Sequence, residues 1–190
     1  MNRINGIILA GGQSSRMGRE KGLLTIGNQT FLQRLIDTLK PIADNVLVIG
    51  QSNYPKQEAV LEFPDEIPGK GPAGGIYTAL LRSDKELNFI LSCDTPLVST
   101  KLISDMVLKF GEESAMICRS EQSIHPLCGI YRKSCTGFFK TQISNGELKM
   151  SRILEGLRVT YYDLTGKNEY QLTNINTPMD YQNLINEYSG

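Results

Sequence analysis

Apolar and polar positions along the chain fall into two alternating spacings. Gly6-Ile7-Ile8-Leu9 and Val46-Leu47-Val48-Ile49 are short runs without a polar position, the pattern of parallel strands buried on both faces. Between them Phe31, Leu32, Leu35, Ile36 and Leu39 recur at helical spacing from Thr30, and Pro41 marks the stop. Together these segments predict a strand, helix, strand unit.

The pattern then repeats. A helix over 74–81 leads to the strand Phe89-Ile90-Leu91-Ser92 and a turn at Cys93–Pro96. Ser99 or Thr100 caps the next helix, whose apolar stripe is Leu102, Ile103, Met106, Val107 and Phe110. Met116–Cys118 and Leu127–Tyr131 read as strands, the second following a His125-Pro126 turn. Helices are expected over 134–143 and 150–157, and a strand over 159–162. Thr177-Pro178-Met179-Asp180 opens a last helix, with an N-cap, a proline at the first helical position and the acid of a capping box. Residues 50–72 carry Pro55, Pro64, Pro68 and Pro72 and read as mostly irregular, with a short strand at Val60–Phe63. Strands alternating with helices predict the α/β class: one Rossmann-like domain over residues 1–190, in three α/β/α layers around a mainly parallel sheet. Ligands on such sheets sit beyond the carboxyl ends of the strands.

Charge and composition narrow the partners. The 190 residues suit a single core, and twenty Lys and Arg balance twenty Asp and Glu. That balance leaves no global field to gather nucleic acid or an anionic membrane. No apolar run approaches the roughly 20 residues of a membrane helix, and the N-terminal apolar run is too short for a secretory signal, so a cytoplasmic protein is expected. Cys93, Cys118, Cys128 and Cys135 form no Cys-x-x-Cys pair and read as buried free thiols. Glycine is the deviation: ten of eighteen lie in residues 6–27 and 69–75, which suggests backbone approaching a ligand.

The segment Leu9-Ala10-Gly11-Gly12-Gln13-Ser14-Ser15-Arg16-Met17-Gly18-Arg19-Glu20-Lys21 directly follows the first strand. Its paired glycines allow a tight turn that presents bare N–H groups to an anion or a nucleobase edge. Arg16, Arg19 and Lys21 against the single acid Glu20 give residues 14–21 a local charge of +2, suited to a polyphosphate. The segment is neither a P-loop nor Gly-x-Gly-x-x-Gly. Asp94 emerges after the strand ending at Ser92, at the same carboxyl edge, where one carboxylate could hold Mg²⁺ shared with phosphate and water; a turn aspartate bonded to its own backbone is the alternative. Gly69-Lys70-Gly71-Pro72-Ala73-Gly74-Gly75 precedes a helix and is a second place of close approach. His125, the single histidine, reads as a loop or packing residue rather than a proton-transfer group.

These motifs, in this order, resemble the molybdenum cofactor guanylyltransferases, within the nucleotidyltransferases that begin with Leu-Ala-Gly-Gly or Leu-Ala-Ala-Gly. The resemblance runs from Leu9-Ala10-Gly11-Gly12 through Arg16-Met17-Gly18 and Lys21 to Gly71-Pro72-Ala73-Gly74-Gly75, Cys93-Asp94-Thr95-Pro96 and Asn174-Ile175-Asn176-Thr177-Pro178. It implies transfer of GMP from Mg-GTP to the terminal phosphate of molybdopterin carrying molybdenum, with release of pyrophosphate. By the same resemblance, the backbone of Leu9, Ala10, Gly11 and Gly12 holds guanine and nearby phosphate, and Lys21 contacts the phosphates with Arg16 as a second cation. Asp94 binds Mg²⁺, Gly74 and Asp65 belong to the nucleotide pocket, and Asn176 lies on the metal or acceptor side. Transient contact with molybdoenzymes or other proteins of cofactor biosynthesis is a further expectation. Two departures stand out: Ile49 where some members carry asparagine, a contact that could pass to Asn53, and Gly-Pro-Ala-Gly-Gly for the common Gly-Pro-Leu-Ala-Gly.

The nearest rival is a cytidylyltransferase or sugar-phosphate nucleotidyltransferase of the same fold, against which Gly12 counts, since those relatives resemble Leu-Ala-Ala-Gly. A non-catalytic nucleotide-binding domain is the other alternative, and the presence of Lys21 and Asp94 argues against it.

Overall fold

The computed structural model describes residues 4–11, 21–50 and 60–188; Gly12, Arg16 and Asn53 lie outside the described residues. The first unit forms as the pattern requires: β1 (Ile4–Leu9), α1 (Phe31–Leu39) and β4 (Asn45–Ile49), with a small hairpin of β2 (Thr25–Ile26) and β3 (Gln29–Thr30) before the helix. Thr30 starts α1, its hydroxyl accepting from the Gln33 N–H at 3.1 Å. Next come β5 (Val60–Phe63), α2 (Gly71–Arg82), β6 (Leu87–Ser92), α3 (Thr100–Lys109), β7 (Ala115–Arg119) and β8 (Ile124–Arg132). The described chain closes with α4 (Thr136–Ser144), α5 (Met150–Glu155), β9 (Val159–Asp163) and α6 (Pro178–Tyr188). Of the two expected caps for α3, Ser99 is the one used, accepting from the Leu102 N–H at 3.2 Å.

Two expectations are corrected. The second helix begins at Gly71 rather than Gly74, because Pro72 sits in the first turn, where its missing N–H costs nothing. His125 and Pro126 are not a turn but the start of β8. A proline cannot donate to a ladder, and the sheet answers with an irregularity: Ile117 pairs with Gly129, yet Cys118 pairs with His125. The buried Tyr131 hydroxyl donates to the Pro126 carbonyl at 2.7 Å and pins the irregular stretch.

The described residues form a seven-stranded sheet in the order β5-β4-β1-β6-β8-β7-β9. Its β5-β4-β1-β6 part is parallel, and β7 and β9 are parallel to each other; β8 alone runs antiparallel to its neighbours. Strand alternation divides the core. Ile8, Val46, Val48, Phe89 and Leu91 pack with α1 and α3 on one face, whereas Ile7, Leu9, Leu47, Ile49 and Ile90 pack with α2, α4 and α5 on the other. This is the expected three-layer arrangement. From β1 the chain winds outward through β4 to β5, then crosses back to place β6 on the other side of β1. The carboxyl ends of β1 and β6 therefore flank the topological switch point, the place where ligands bind on open α/β sheets.

A third, smaller apolar cluster lies off the sheet. Leu24, Ile26, Phe31, Leu97, Ile175 and Leu184 are buried together, with Tyr181 packed against them. They come from the segment after Lys21, from α1, from the turn after Asp94, from the loop before Asn176 and from α6. Tyr181 adds a hydrogen bond from its hydroxyl to the Thr25 carbonyl at 2.9 Å.

Candidate active site

The site is assembled from strand ends at the switch point. Leu9 pairs with Ile49 on one side and Ser92 on the other, so the residues that follow these three leave the sheet at one level. The Ala10 N–H donates to the Ile49 carbonyl at 2.8 Å and the Cys93 N–H to the Leu9 carbonyl at 3.1 Å, extending the ladder one step past the strands. Gly50, which follows β4, adopts φ +135°, and a Cβ there would lie 2.5 Å from the Gly11 nitrogen and 2.8 Å from its Cα. Only glycine accepts both that backbone conformation and that contact. The first turn of α2 closes in from the other layer: a Cβ on Gly75 would meet Leu9 Cδ1 at 3.2 Å, and one on Gly74 would meet Lys70 Cβ at 2.9 Å. Gly75 of the second glycine cluster thus packs on Leu9, two residues before Gly11.

Lys21, Asp94 and Asn176 converge beside this turn. The Lys21 Nζ lies 3.5 Å from Asp94 Oδ2 and donates to Asn176 Oδ1 at 2.5 Å. The Lys21 and Asp94 side chains are only 16% and 21% exposed, so the ammonium and carboxylate face each other in a partly desolvated recess. The third apolar cluster explains the convergence, since Leu24, Leu97 and Ile175 follow or precede these polar residues by one to three positions. Asn176 is held further by the start of α6. Asp180 Oδ2 accepts from the Asn176 N–H at 2.9 Å and the Thr177 N–H at 2.8 Å, and the Asp180 N–H returns a bond to the Thr177 hydroxyl at 3.1 Å. Those two backbone donors hold the Asp180 carboxyl below its ordinary value of 3.8. The Asp94 carbonyl accepts from the Ile175 N–H at 2.8 Å, tying the metal-candidate turn to the same loop.

Asp65 stands apart from this trio. Its Oδ1 accepts from the Thr78 hydroxyl of α2 at 2.8 Å and from the Ile67 N–H at 3.2 Å, so it braces the approach to α2 just past the carboxyl end of β5. Next to Asp94, the Cys93 thiol is pushed up to about 12 by burial and by the neighbouring carboxylate, which leaves it neutral and unreactive at pH 7. The four cysteines are all buried and free. The sequence pattern does not mark Gly50 as a site residue; its one signal is a glycine immediately after the strand Val46–Ile49. The capping pattern marks Asp180, whereas its hold on Asn176 is visible only in the fold.

The donor set fits a hard divalent cation. Among the described residues no three His, Cys, Asp or Glu side chains come together as a metal cage. What the recess offers is a carboxylate and an amide oxygen, already drawn around the positive Lys21 ammonium. One carboxylate with the remaining positions taken by phosphate and water is the usual pattern for Mg²⁺ at nucleotide sites.

A doubly wound sheet with a glycine turn and a lysine–aspartate pair at its switch point defines a nucleotide-handling α/β domain. The chain belongs to the family described as "MobA-like NTP transferase domain", whose model matches residues 6–160, and so is a nucleotidyltransferase. A "Probable molybdenum cofactor guanylyltransferase" of Flavobacterium johnsoniae is 38% identical over 178 residues, covering 93% of this chain and 94% of the relative. Among solved structures, the molybdopterin-guanine dinucleotide biosynthesis protein A of Archaeoglobus fulgidus superposes with a TM-score of 0.82 at 22% identity, covering 97% and 98% of the two chains. A Mycobacterium tuberculosis protein solved in complex with manganese superposes at 0.72 with 17% identity, covering 97% and 98%. No helix among the described residues is long and apolar enough to cross a membrane.

Proposed function

We propose that the protein transfers GMP from GTP to the terminal phosphate of molybdopterin, forming the guanine dinucleotide cofactor and pyrophosphate in the cytoplasm. The observation that carries this reading is the convergence of Lys21, Asp94 and Asn176 beside the Leu9–Gly11 turn, in a chain 38% identical to a relative named for that reaction. The backbone of Leu9, Ala10, Gly11 and Gly12 holds guanine and the adjacent phosphate, with Gly74 in the facing turn of α2 and Asp65 at the outer wall of the pocket. Lys21, with Arg16, neutralises the triphosphate.

The acceptor phosphate is already an anionic nucleophile at neutral pH, so no general base is required. Its oxygen forms a bond to the α-phosphorus of GTP while the bond from that phosphorus to the bridging oxygen breaks, and pyrophosphate leaves with the electron pair. The difficulty is electrostatic: two like unit charges about 4 Å apart repel by roughly 4 kcal/mol at an effective dielectric near 20. Lys21 offsets part of that repulsion, and Asn176 keeps its ammonium turned toward the recess. Asp94, aided by the Asn176 amide oxygen, would hold a divalent cation, which we assign as Mg²⁺ and which would supply charge neutralisation at the phosphates. The donor chemistry of Asp94 and the manganese of the Mycobacterium structure support a divalent ion.

The test is pyrophosphate release by the purified protein with molybdopterin, Mg²⁺ and each of the four nucleoside triphosphates in turn. Release with GTP alone is expected, and preference for CTP or UTP would overturn the guanylyl reading.

A further inference from the structure

Gly74, Thr78 and Arg82 follow one another at four-residue steps on one face of α2. The segment that leads from β5 into the helix lies along this face. At its outer end the Arg82 guanidinium pairs with the Glu66 carboxylate and stands over the Phe63 ring, 5.5 Å from its centre. That ion pair faces solvent, where such pairs hold little. At the inner end the segment rests directly on the first turn of the helix, since a Cβ on Gly74 would meet the Ile67 carbonyl oxygen at 3.2 Å.

Between these two contacts Thr78 is fully buried, a polar side chain inside the layer. Its hydroxyl oxygen accepts from the Glu66 N–H at 3.1 Å. Its single proton lies between Asp65 Oδ1 at 2.8 Å and the Gly74 carbonyl at 3.0 Å, and the carboxylate, nearer and charged, is the stronger acceptor. A helical threonine commonly bonds back to the carbonyl four positions earlier. What sets Thr78 apart is the second, charged acceptor from outside the helix. One atom thus ties α2 to two consecutive residues of the segment and links Asp65 to Gly74. Asp65 Oδ1 takes the Thr78 hydroxyl and the Ile67 N–H, which leaves Oδ2 without a hydrogen-bond partner among the described residues. A carboxylate gripped by one oxygen has a fixed direction for the other.

We propose that Thr78 is a positioning residue for the nucleotide, its hydroxyl setting Asp65 against the first turn of α2. This inference rests on the part of the transfer reading that puts Asp65 and Gly74 in the GTP pocket. Its test uses Thr78→Val, which keeps the shape and removes the hydroxyl, Thr78→Ser, which keeps the hydroxyl, and Asp65→Asn. Thr78→Ala, smaller and favourable in a helix, serves the same comparison if the valine variant does not fold. GTP binding is titrated with Mg²⁺ present, and steady-state kinetics are run with GTP and molybdopterin varied separately, beside thermal melts. In Thr78→Val the Kd and KM for GTP rise about tenfold, the scale of one hydrogen bond to a charged group, while the KM for molybdopterin holds. Thr78→Ser keeps GTP binding close to that of wild type. Added to Asp65→Asn, the valine substitution causes no further rise, because Thr78 acts through Asp65. A wild-type Kd for GTP without the hydroxyl, an equal rise in both KM values, or effects that simply add in the double variant overturns the proposal. Wild type that binds GTP yet releases no pyrophosphate with molybdopterin overturns the transfer reading alone, since the Kd comparison still decides the role of Thr78.

Discussion

The ammonium of Lys21 donates to the amide oxygen of Asn176, a residue 155 positions further along the chain, across 2.5 Å. The contact fixes the direction of a long, flexible side chain in the one place where positive charge is needed. Asn176→Ala releases that constraint without removing the charge. The expected outcome is a KM for GTP that rises by several-fold with kcat reduced, whereas Lys21→Ala loses about a hundredfold in kcat/KM, the scale of removing one charge-stabilising donor. Kinetics of Lys21→Ala that match wild type would refute the phosphate role.

Asp94→Ala should abolish transfer while the fold survives, because the residue lies at a strand exit and its backbone carbonyl, not its side chain, makes the bond to Ile175. The measurement is pyrophosphate release titrated with Mg²⁺, beside a thermal melt. Metal-dependent activity at the wild-type level would sink the assignment of Asp94.

Gly50→Ala places a methyl group on the Gly11 backbone at a φ that side chains rarely adopt. Strain of this kind costs on the order of 1–3 kcal/mol. The urea midpoint should fall, and GTP affinity should fall with it because the displaced backbone belongs to the proposed nucleotide turn. Loss of stability with intact GTP affinity would show that the turn tolerates the shift.

Asp180→Ala removes the acceptor for two N–H groups at the start of α6 and should cost about 1 kcal/mol, as loss of a helix cap does. The sign with pH follows from its depressed carboxyl. Stabilisation from Asp180 is fully present above the ordinary value of 3.8 and is lost as pH falls through the lower folded value. Wild type and variant should therefore differ in melting temperature at pH 6 and converge at strongly acid pH.

Cys93 sits next to the metal-candidate carboxylate, yet its thiol is held near 12. Cys93→Ala should retain kcat within about twofold, and iodoacetamide at pH 7 should leave the folded protein active. Rapid inactivation traced to Cys93 would contradict the neutral thiol.

Much of this architecture was legible in the chain. The runs at Ile7–Leu9 and Val46–Ile49 mark strands buried on both faces because nothing polar interrupts them, and Asp94 follows a strand of the same kind. Thr177 to Asp180 announced the start of α6 from local chemistry alone. Pro126 misled because proline ordinarily breaks a ladder, and only the irregular pairing of Cys118 with His125 lets it stay in β8. Gly50 escaped notice because its need for glycine comes from Gly11, a partner brought close by the fold rather than by sequence. The meeting of Lys21 with Asn176 was hidden for the same reason, since Leu24, Leu97 and Ile175 each look like an ordinary apolar position until they are seen buried together.

That small third cluster also makes the polar centre depend on a segment that lies outside the sheet. The last strand of the described sheet ends at Asp163, whereas Ile175 and Leu184 are buried with Leu24, Ile26, Phe31 and Leu97. The residues that set Asn176 against Lys21 therefore belong to a covering layer and not to the strands that carry Asp94.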